Sequence, residues 1–298
     1  MILLTGATGL VGSALLERLL AAGSDVRCLV RDPRRLGANR VRVQITLGDL
    51  ANPLSIRQAV RGVEAVAHLG ATIRDQPGGS IEELNGIATV RLLREAERAG
   101  AERFLLFGAL GATPTARTRF FRAKALAEWA VLRSELESVV ISPSIVYAPG
   151  DPWMTLLRRL SLLPWMPVSG NGEAAYQPIW AADAAECAAR ALLGESLRGE
   201  PLEKRRFELA GPETLTYDEI VKLALRAWDR PRPLVHVPVP LVRRGLRLLE
   251  QLAGTASFAT WEEAELMEVS MITRRGVEDA RRLGVDPRPM REVLGLAG

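Results

Sequence analysis

The sequence predicts an α/β fold of the Rossmann type: a doubly wound parallel sheet with a smaller C-terminal α/β lobe. Three observations carry this expectation. The chain opens on a short apolar run, a glycine-rich turn and a helix in immediate succession. Short apolar runs then alternate with helical patterns as far as Ser142. After Pro143 the pattern changes, because Pro149, Pro152, Pro164, Pro167 and Pro178 cut the chain into shorter pieces. The expected organisation is a dinucleotide-binding unit over residues 1–150. Residues 151–298 would form a smaller substrate or partner lobe, interleaved with the last elements of the sheet.

Met1-Ile-Leu-Leu-Thr5 reads as a buried strand, Gly6-Ala-Thr-Gly9-Leu-Val-Gly12 as the turn, and the following residues to Ala22 as a helix. In a dinucleotide site the first glycine turns the chain, the second lets backbone approach a diphosphate, and the third lets helix pack on strand. The helix N-terminus attracts the anion. The spacing here is G-x-x-G-x-x-G, and the strand and helix on either side support the ligand reading. A tight strand-to-helix turn without a ligand is the alternative. Thr8, Leu10 and Val11 belong to the same turn and are expected beside the cofactor with Gly6, Gly9 and Gly12.

Further strands are expected at Asp25–Val30, Val41–Leu47, Ala65–Leu69, Phe104–Phe107 and Ser138–Ser142. They are short continuous apolar runs, as in a sheet covered on both faces. Helical patterns over Leu54–Arg61, Ile81–Ala99 and Phe120–Ser134 connect them, and Gly23 and Gly100 follow helices where a left-handed cap is wanted. In the second half, Tyr176–Trp180, Arg206–Ala210 and Leu234–Val239 read as extended. Asp183–Leu193, Tyr217–Trp228 and Leu241–Leu252 read as helical, and Arg275–Leu294 as two short helical turns.

The end of the second strand bears on cofactor choice. An acid there serves the ribose 2′-hydroxyl of NAD, whereas an Arg accommodates the 2′-phosphate of NADP. Arg31 follows the apolar run, with Arg34 and Arg35 close behind. Guanidinium groups suit a phosphate dianion, so NADP (NADPH) is favoured through Arg31 and Arg35. Asp32 keeps NAD possible, and a solvated charged loop is the plain alternative. Asp49 and Leu50 follow the third strand. There Asp49 could accept from adenine or merely cap the next helix. Leu69, Gly70 and Ala71 end the fourth strand and leave room for the adenosine ribose. His68 reads as a core histidine.

Together Gly6–Gly12, Asp49-Leu50, His68-Leu-Gly-Ala71, Phe120-x-x-x-Lys124 and Ser142-Pro-Ser-Ile-Val-Tyr-Ala-Pro-Gly-Asp151 resemble the extended and atypical short-chain dehydrogenase/reductases. Ala210-Gly-Pro-Glu-Thr-Leu-Thr216, followed by a helix, resembles the atypical group that includes the NADPH-binding accessory subunit of respiratory complex I. The family includes NAD-dependent epimerases and dehydratases. The resemblance implies further cofactor contacts at Lys124, as a ribose ligand, and at Pro143. It also implies a Tyr-x-x-x-Lys pair and a Ser after the fifth strand. Here Phe120 stands at the Tyr position and Gly108 at the Ser position. A phenyl ring moves no proton, and general acid catalysis is typically worth ~10²–10⁴ in rate. The expectation is therefore a nucleotide-binding sensor, scaffold or complex-I-subunit-like protein. The alternative is an active NADPH-dependent oxidoreductase or epimerase whose proton comes from water, substrate or Tyr147.

The rest of the composition is that of a soluble globular chain. The 298 residues are 48% hydrophobic and 25% charged, with a net charge of +4. Lysine occurs only at positions 124, 204 and 222. The basic excess is too dispersed to predict nucleic-acid binding. Cys28 and Cys187 form no metal or disulfide pattern, and Cys28 reads as a buried strand residue. No transmembrane span, no metal and a cytoplasmic location are expected. Met154–Leu163 and Leu241–Leu252 are basic and amphipathic. They could contact a membrane surface or a protein partner, or simply bury an apolar face at home. Trp153, Trp165 and Trp180 are expected to line a cleft between lobes, suiting a hydrophobic or quinone-like small molecule, or else to pack in a core.

Overall fold

The computed structural model describes residues 1–194, 205–242, 244 and 265–296. Its centre is a seven-stranded sheet in the order β11-β6-β5-β4-β1-β2-β3. The strands are β1 (Ile2–Thr5), β2 (Val26–Val30), β3 (Gln44–Leu47), β4 (Ala65–His68), β5 (Arg103–Phe107), β6 (Glu137–Pro143) and β11 (Arg206–Leu209). Every neighbouring pair in it is parallel. The chain winds outward from β1 to β3, then crosses back to β4 on the other side of β1. The order reverses between β1 and β4, and that switch point is where open α/β sheets bind ligands.

Helices cover both faces. α1 (Leu10–Ala21) packs with α6 (Ala181–Leu193) on one side. Leu15, Leu16, Leu19, Cys187 and Ala188 there meet Leu4, Cys28, Leu105 and Ile141. α2 (Pro53–Ala59), α3 (Ala88–Arg98) and α4 (Arg119–Leu132) cover the other face, closing Leu3, Val66, Phe104 and Val140 under Ile56, Leu92 and Val131. Burial on both faces explains why these strands read as unbroken apolar runs. Gly23 and Gly100 do end their helices at φ 75° and 79°. Burial pushes the Cys28 and Cys187 thiols up to about 12, so both behave as packing groups.

A further core joins β7 (Val146–Tyr147), β8 (Met166–Ser169), β9 (Ala175–Tyr176), β10 (Ile179–Trp180), β12 (Leu215–Thr216) and β13 (Leu234–Val237). Around them lie α5 (Pro152–Leu160), α7 (Tyr217–Ala227) and α9 (Met290–Val293), with α8 (Glu278–Arg282) on the sheet side. Two carboxylates, the buried Asp279 and the partly buried Glu213, stitch the tail to the rest. Asp279 accepts the Glu208 N–H at 2.9 Å and holds Arg275 and Arg282. Glu213 accepts the Met290 N–H and pairs with Arg291, each at 2.6 Å.

Several expected bounds shift for local reasons. Residues 33–41 coil into a 3-10 stretch opened by Asp32, whose side chain accepts the Arg34 N–H, so β3 starts at Gln44 rather than Val41. The helix expected over Ile81–Ala99 contains a π turn at Glu83–Ile87. Asn85 Nδ2 donates to the Ile81 and Thr72 carbonyls there, disturbing the helical ladder. Gln177-Pro178 splits the expected Tyr176–Trp180 strand into β9 and β10. Most of the helix expected over Leu241–Leu252 lies outside the described residues. The three tryptophans do not line one cleft. Trp153 and Trp180 pack into the second core, where Arg288 stacks on Trp180 at 3.7 Å, whereas Trp165 is exposed. No described helix is long and apolar enough to cross a membrane.

Candidate functional site

The glycine turn sits at the switch point. Gly6 has φ 75°, and a Cβ there would lie 2.6 Å from the Leu69 carbonyl carbon. A side chain on Gly12 would overlap the Gly6 carbonyl oxygen. These two glycines are required by the protein's own packing. Gly9 is different. It is exposed at φ −85°, and a Cβ there would meet one atom, Gly6 O, at 3.2 Å. Gly9 also forms the N-cap of α1, and no side chain caps that helix. The turn therefore leaves helix amides and a bare backbone facing outward, a cradle suited to a phosphate anion.

The floor beside it is a hydrogen-bond relay. Thr89 Oγ1 donates to the Asn85 carbonyl at 2.8 Å, so it accepts from His68 Nε2–H at 2.9 Å. His68 Nδ1 then accepts from Thr5 Oγ1 at 2.6 Å, and Thr5 accepts the Gly70 N–H at 3.3 Å. Asn85 Oδ1 in turn accepts the Thr72 N–H at 3.1 Å. One chain of partners thus ties the ends of β1 and β4 to the loop beyond them. Burial, with Lys124 nearby, pulls His68 down to about 3, so it stays neutral. It is the core histidine the sequence suggests.

Loops at the same edge bring the other candidates together. Leu50 packs on Gly70, where a Cβ would lie 2.6 Å from Leu50 Cδ1. Asp49 Oδ1 accepts the Ala51 N–H, and its Oδ2 lies 3.9 Å from Arg31 Nη1. Asp32 grips Arg34 through both carboxylate oxygens, at 3.0 and 3.1 Å, and this pairing holds its carboxyl below the usual range. Arg34 is committed to Asp32, while Arg31 and Arg35 are exposed at the rim. Thr8, Leu10, Val11 and Leu69 are partly buried around the turn, and Ala71 is exposed. Pro143 is buried at the end of β6, its carbonyl accepting the Leu110 N–H at 2.9 Å.

Across the crevice, α4 begins on Thr118, whose side chain accepts the Phe121 N–H. Lys124 is only 4% exposed, and its Nζ donates to the Phe107 carbonyl at 2.7 Å. The ammonium lies 5.8 Å from the centroid of the Phe120 ring. Burial lowers Lys124 to about 8, opposed by the Glu128 carboxylate one helical turn on. Phe120 and Lys124 thus sit one helical turn apart with the ammonium near the ring, and Phe120 carries no hydroxyl. Residues 108–112 read Gly-Ala-Leu-Gly-Ala and carry no hydroxyl.

Glu128 is a residue that sequence reasoning missed. Its Oε1 accepts the Ala109 N–H and the Ser142 Oγ–H, both at 3.0 Å, and its Oε2 pairs with Arg206 at 3.2 Å. A glutamate eight residues after Phe120, on the Lys124 face of the helix, was the available signal. Arg119 was missed as well. It joins Glu82 at 2.6 Å and Asp75 at 3.1 Å, tying α4 to the loop after β4. Tyr147 is fully buried in the second core and its hydroxyl has no hydrogen-bond partner among the described residues. Burial pushes its ionisation upward. That placement does not suit Tyr147 as the proton source of the alternative reading.

Over the first turn of α4 lies a shallow, open depression lined by Ile73, Ile81, Thr118, Arg119, Phe120, Glu265 and Leu266. The segment around Leu266 packs on Phe120, Phe121 and Ala109 and forms one wall. A phosphate cradle and a shallow depression of mixed lining thus lie at this edge of the fold. Among the described residues no cluster of His, Cys, Asp and Glu could hold a metal.

The chain is similar to several known proteins. The NAD(P)H-binding family matches residues 6–151. Sterol demethylase protein B of Methylococcus capsulatus is 30% identical over 274 residues, covering 83% of this chain and 80% of its own. The mitochondrial NADH dehydrogenase [ubiquinone] 1 alpha subcomplex subunit 9 of Arabidopsis thaliana is 28% identical over 80% of this chain. The match spans 60% of that subunit's length. The fold is that of the Thermus thermophilus UDP-glucose 4-epimerase, solved with NAD, at TM-score 0.73, 17% identity and coverage of 99% and 96%. An Escherichia coli NADPH-dependent quinone oxidoreductase, solved with NADPH, gives TM-score 0.72, 16% identity and 99% coverage of both chains. The chain belongs to the NAD(P)H-binding short-chain dehydrogenase/reductases, in their atypical group.

Proposed function

We propose that this chain binds NADP(H) and lacks the side-chain proton relay of its active relatives, serving as a nucleotide-loaded sensor, scaffold or subunit of a larger assembly. The observation that carries the proposal is the Phe120 ring beside Lys124, in a crevice whose 108–112 loop has no hydroxyl. The uncapped α1 N-terminus and the open face of Gly9 would hold the diphosphate. Arg31 and Arg35 would take the 2′-phosphate, since Arg34 is spent on Asp32. Asp49, Leu50, Leu69, Gly70 and Ala71 would border the adenosine, and Lys124 the second ribose. Bound NADPH supplies a hydride. The chain's residues supply position and a dry, apolar wall, and Phe120 neither gives nor takes a proton. Similarity to the plant NADH dehydrogenase subunit supports the subunit reading.

The apolar side chains of Ile73, Ile81, Phe120 and Leu266 around the depression favour a second reading, reduction or isomerisation of a lipophilic carbonyl or quinone with a proton from water or substrate. Two relatives are named for lipids, the sterol demethylase protein and a ceramide reductase of Caulobacter vibrioides, the latter 29% identical over 55% of this chain. Fluorescence titration with NADPH and NADH tests the nucleotide claim, and absence of binding by either overturns both readings. Turnover of a panel of ketones and quinones separates them. Ordinary rates, between 1 and 10³ per second, refute the first.

A further inference from the structure

We propose that the turn from Leu162 to Trp165, with the arginines around it, is a docking surface for an anionic lipid bilayer. The inference does not depend on nucleotide binding. α5 itself does not need a partner for its apolar face, since Met154 and Leu157 are buried in the second core. The chain just beyond it is different. Leu162, Leu163, Pro164 and Trp165 are four consecutive exposed apolar residues, the leucines at 66% and 40% and the tryptophan at 42%. A run of that kind on a soluble surface calls for a function.

The turn is held in this pose. Leu162 and Leu163 N–H donate back to the Arg159 and Leu160 carbonyls, ending the helix and swinging the chain outward. Arg232 Nε donates to the Leu163 carbonyl at 2.9 Å, and Met166 N–H to the Pro233 carbonyl at 2.9 Å. β8 then pairs with β13, bringing exposed Val235 opposite Pro167. The apolar tip is therefore a fixed feature of the fold, anchored on both sides.

Charge identifies the occupant. Arg158 and Arg159 close α5, Arg226 closes α7, and Arg230 and Arg232 follow on the adjoining turns. Asp229 is the one carboxylate within residues 158–166 and 226–235. Among the described residues Arg158, Arg159, Arg226 and Arg230 form no ion pair. Unpaired guanidinium groups around an apolar wedge match a bilayer with anionic headgroups, into which leucine and tryptophan insert while arginine stays at the phosphate level. A second copy of the chain docking through the same patch would set these arginines against each other, because a twofold contact is self-complementary. Base stacking is not served by a leucine-proline tip.

Flotation of the full chain with vesicles tests the proposal. Expected is recovery with equimolar phosphatidylcholine and phosphatidylglycerol, weakened by salt, and little recovery with phosphatidylcholine alone. Trp165→Ser and, separately, Arg158→Glu with Arg159→Glu should each lower the bound fraction roughly tenfold or more. All these positions are exposed, so unchanged thermal melting is expected of the variants. No recovery with either vesicle overturns the proposal, as does equal recovery with both. A concentration-dependent dimer abolished by Trp165→Ser overturns it in favour of a self-interface.

Discussion

Glu128 occupies the space that a side chain at Gly108 would need: a Cβ built on Gly108 would overlap Glu128 Oε1. The same oxygen accepts the Ala109 N–H and the Ser142 hydroxyl, while Arg206 holds the other. The absence of a side chain at position 108 is thus part of the packing around a buried carboxylate. A serine does not fit there unless Glu128 moves.

Gly108→Ser is accordingly expected to overpack the site and cost about 1–3 kcal/mol, measured by urea unfolding. Glu128→Ala removes the obstruction but deprives Ala109, Ser142 and Arg206 of their acceptor, so it also destabilises. The two changes together should cost less than their sum. Strict additivity in the double-mutant cycle would show that the two positions do not compete for space.

How much of this was legible follows from which contacts are local. The glycine turn and the strand-helix alternation are short-range patterns, and the sheet built from them is the doubly wound parallel sheet expected. Gly12 is explained by Gly6 at the same turn, whereas Gly6 is closed off by Leu69 and Gly70 at the end of β4. The Gly108–Glu128 conflict spans a strand, a loop and a helix, and no periodicity reports it. The π turn depends on Asn85 reaching Thr72 across a loop. Tyr147 and Trp180 sit in one paired strand segment, yet one is sealed and the other stacked by Arg288 from the far tail. Side-chain reach of that kind is set by tertiary placement.

The turn offers a clean separation of packing from ligand binding. Gly12→Ala should damage the protein itself, since its methyl would overlap the Gly6 carbonyl oxygen. A loss of melting temperature is expected with or without nucleotide. Gly9→Ala should leave the ligand-free melting curve nearly unchanged, because its methyl meets only Gly6 O at 3.2 Å. It should abolish most of the melting-temperature rise that NADPH confers. An undiminished rise in Gly9→Ala would place the diphosphate elsewhere.

Arginine choice at the end of β2 can be tested residue by residue. Arg31→Ala should weaken NADPH by roughly 10–100-fold, the worth of a charged hydrogen bond or two, and NADH far less. Arg34→Ala should have a smaller effect on NADPH, because that guanidinium is engaged by Asp32. It should also release Asp32 and so improve NADH relative to NADPH. Equal weakening of both nucleotides by Arg31→Ala would refute the 2′-phosphate assignment.

His68 predicts an acid-sensitive fold. It is buried, neutral and held near 3, against about 6.5 in an unfolded chain. Between those values the unfolded chain binds a proton that the folded chain refuses. Stability is therefore unaffected above about pH 6.5 and falls as pH drops from there toward 3, by up to about 1.4 kcal/mol per pH unit. His68→Phe should lose stability at neutral pH, because Thr5 and Thr89 lose their partner, yet show a shallower decline in acid. Urea midpoints at pH 7 and pH 5 for both proteins give the comparison, and parallel declines would exclude His68 as the source.

Phe120→Tyr is the variant that probes the missing relay without disturbing Glu128. The ring is partly buried and edge-on to Phe121 at 5.5 Å, with Lys124 Nζ 5.8 Å from its centroid. A hydroxyl on that ring would border the depression lined by Ile73, Thr118 and Leu266. The lysine ammonium would favour its phenolate. If absence of this proton donor limits reduction, the tyrosine variant should raise NADPH-dependent turnover of a lipophilic ketone or quinone by about 10²-fold or more. Its melting temperature should stay within a few degrees of the parent. A further change of Lys124→Met should cancel the gain while the phenol remains, since nothing then lowers its ionisation. A parent chain as active as Phe120→Tyr would mean that the proton already comes from elsewhere, and the second reading of the site would stand.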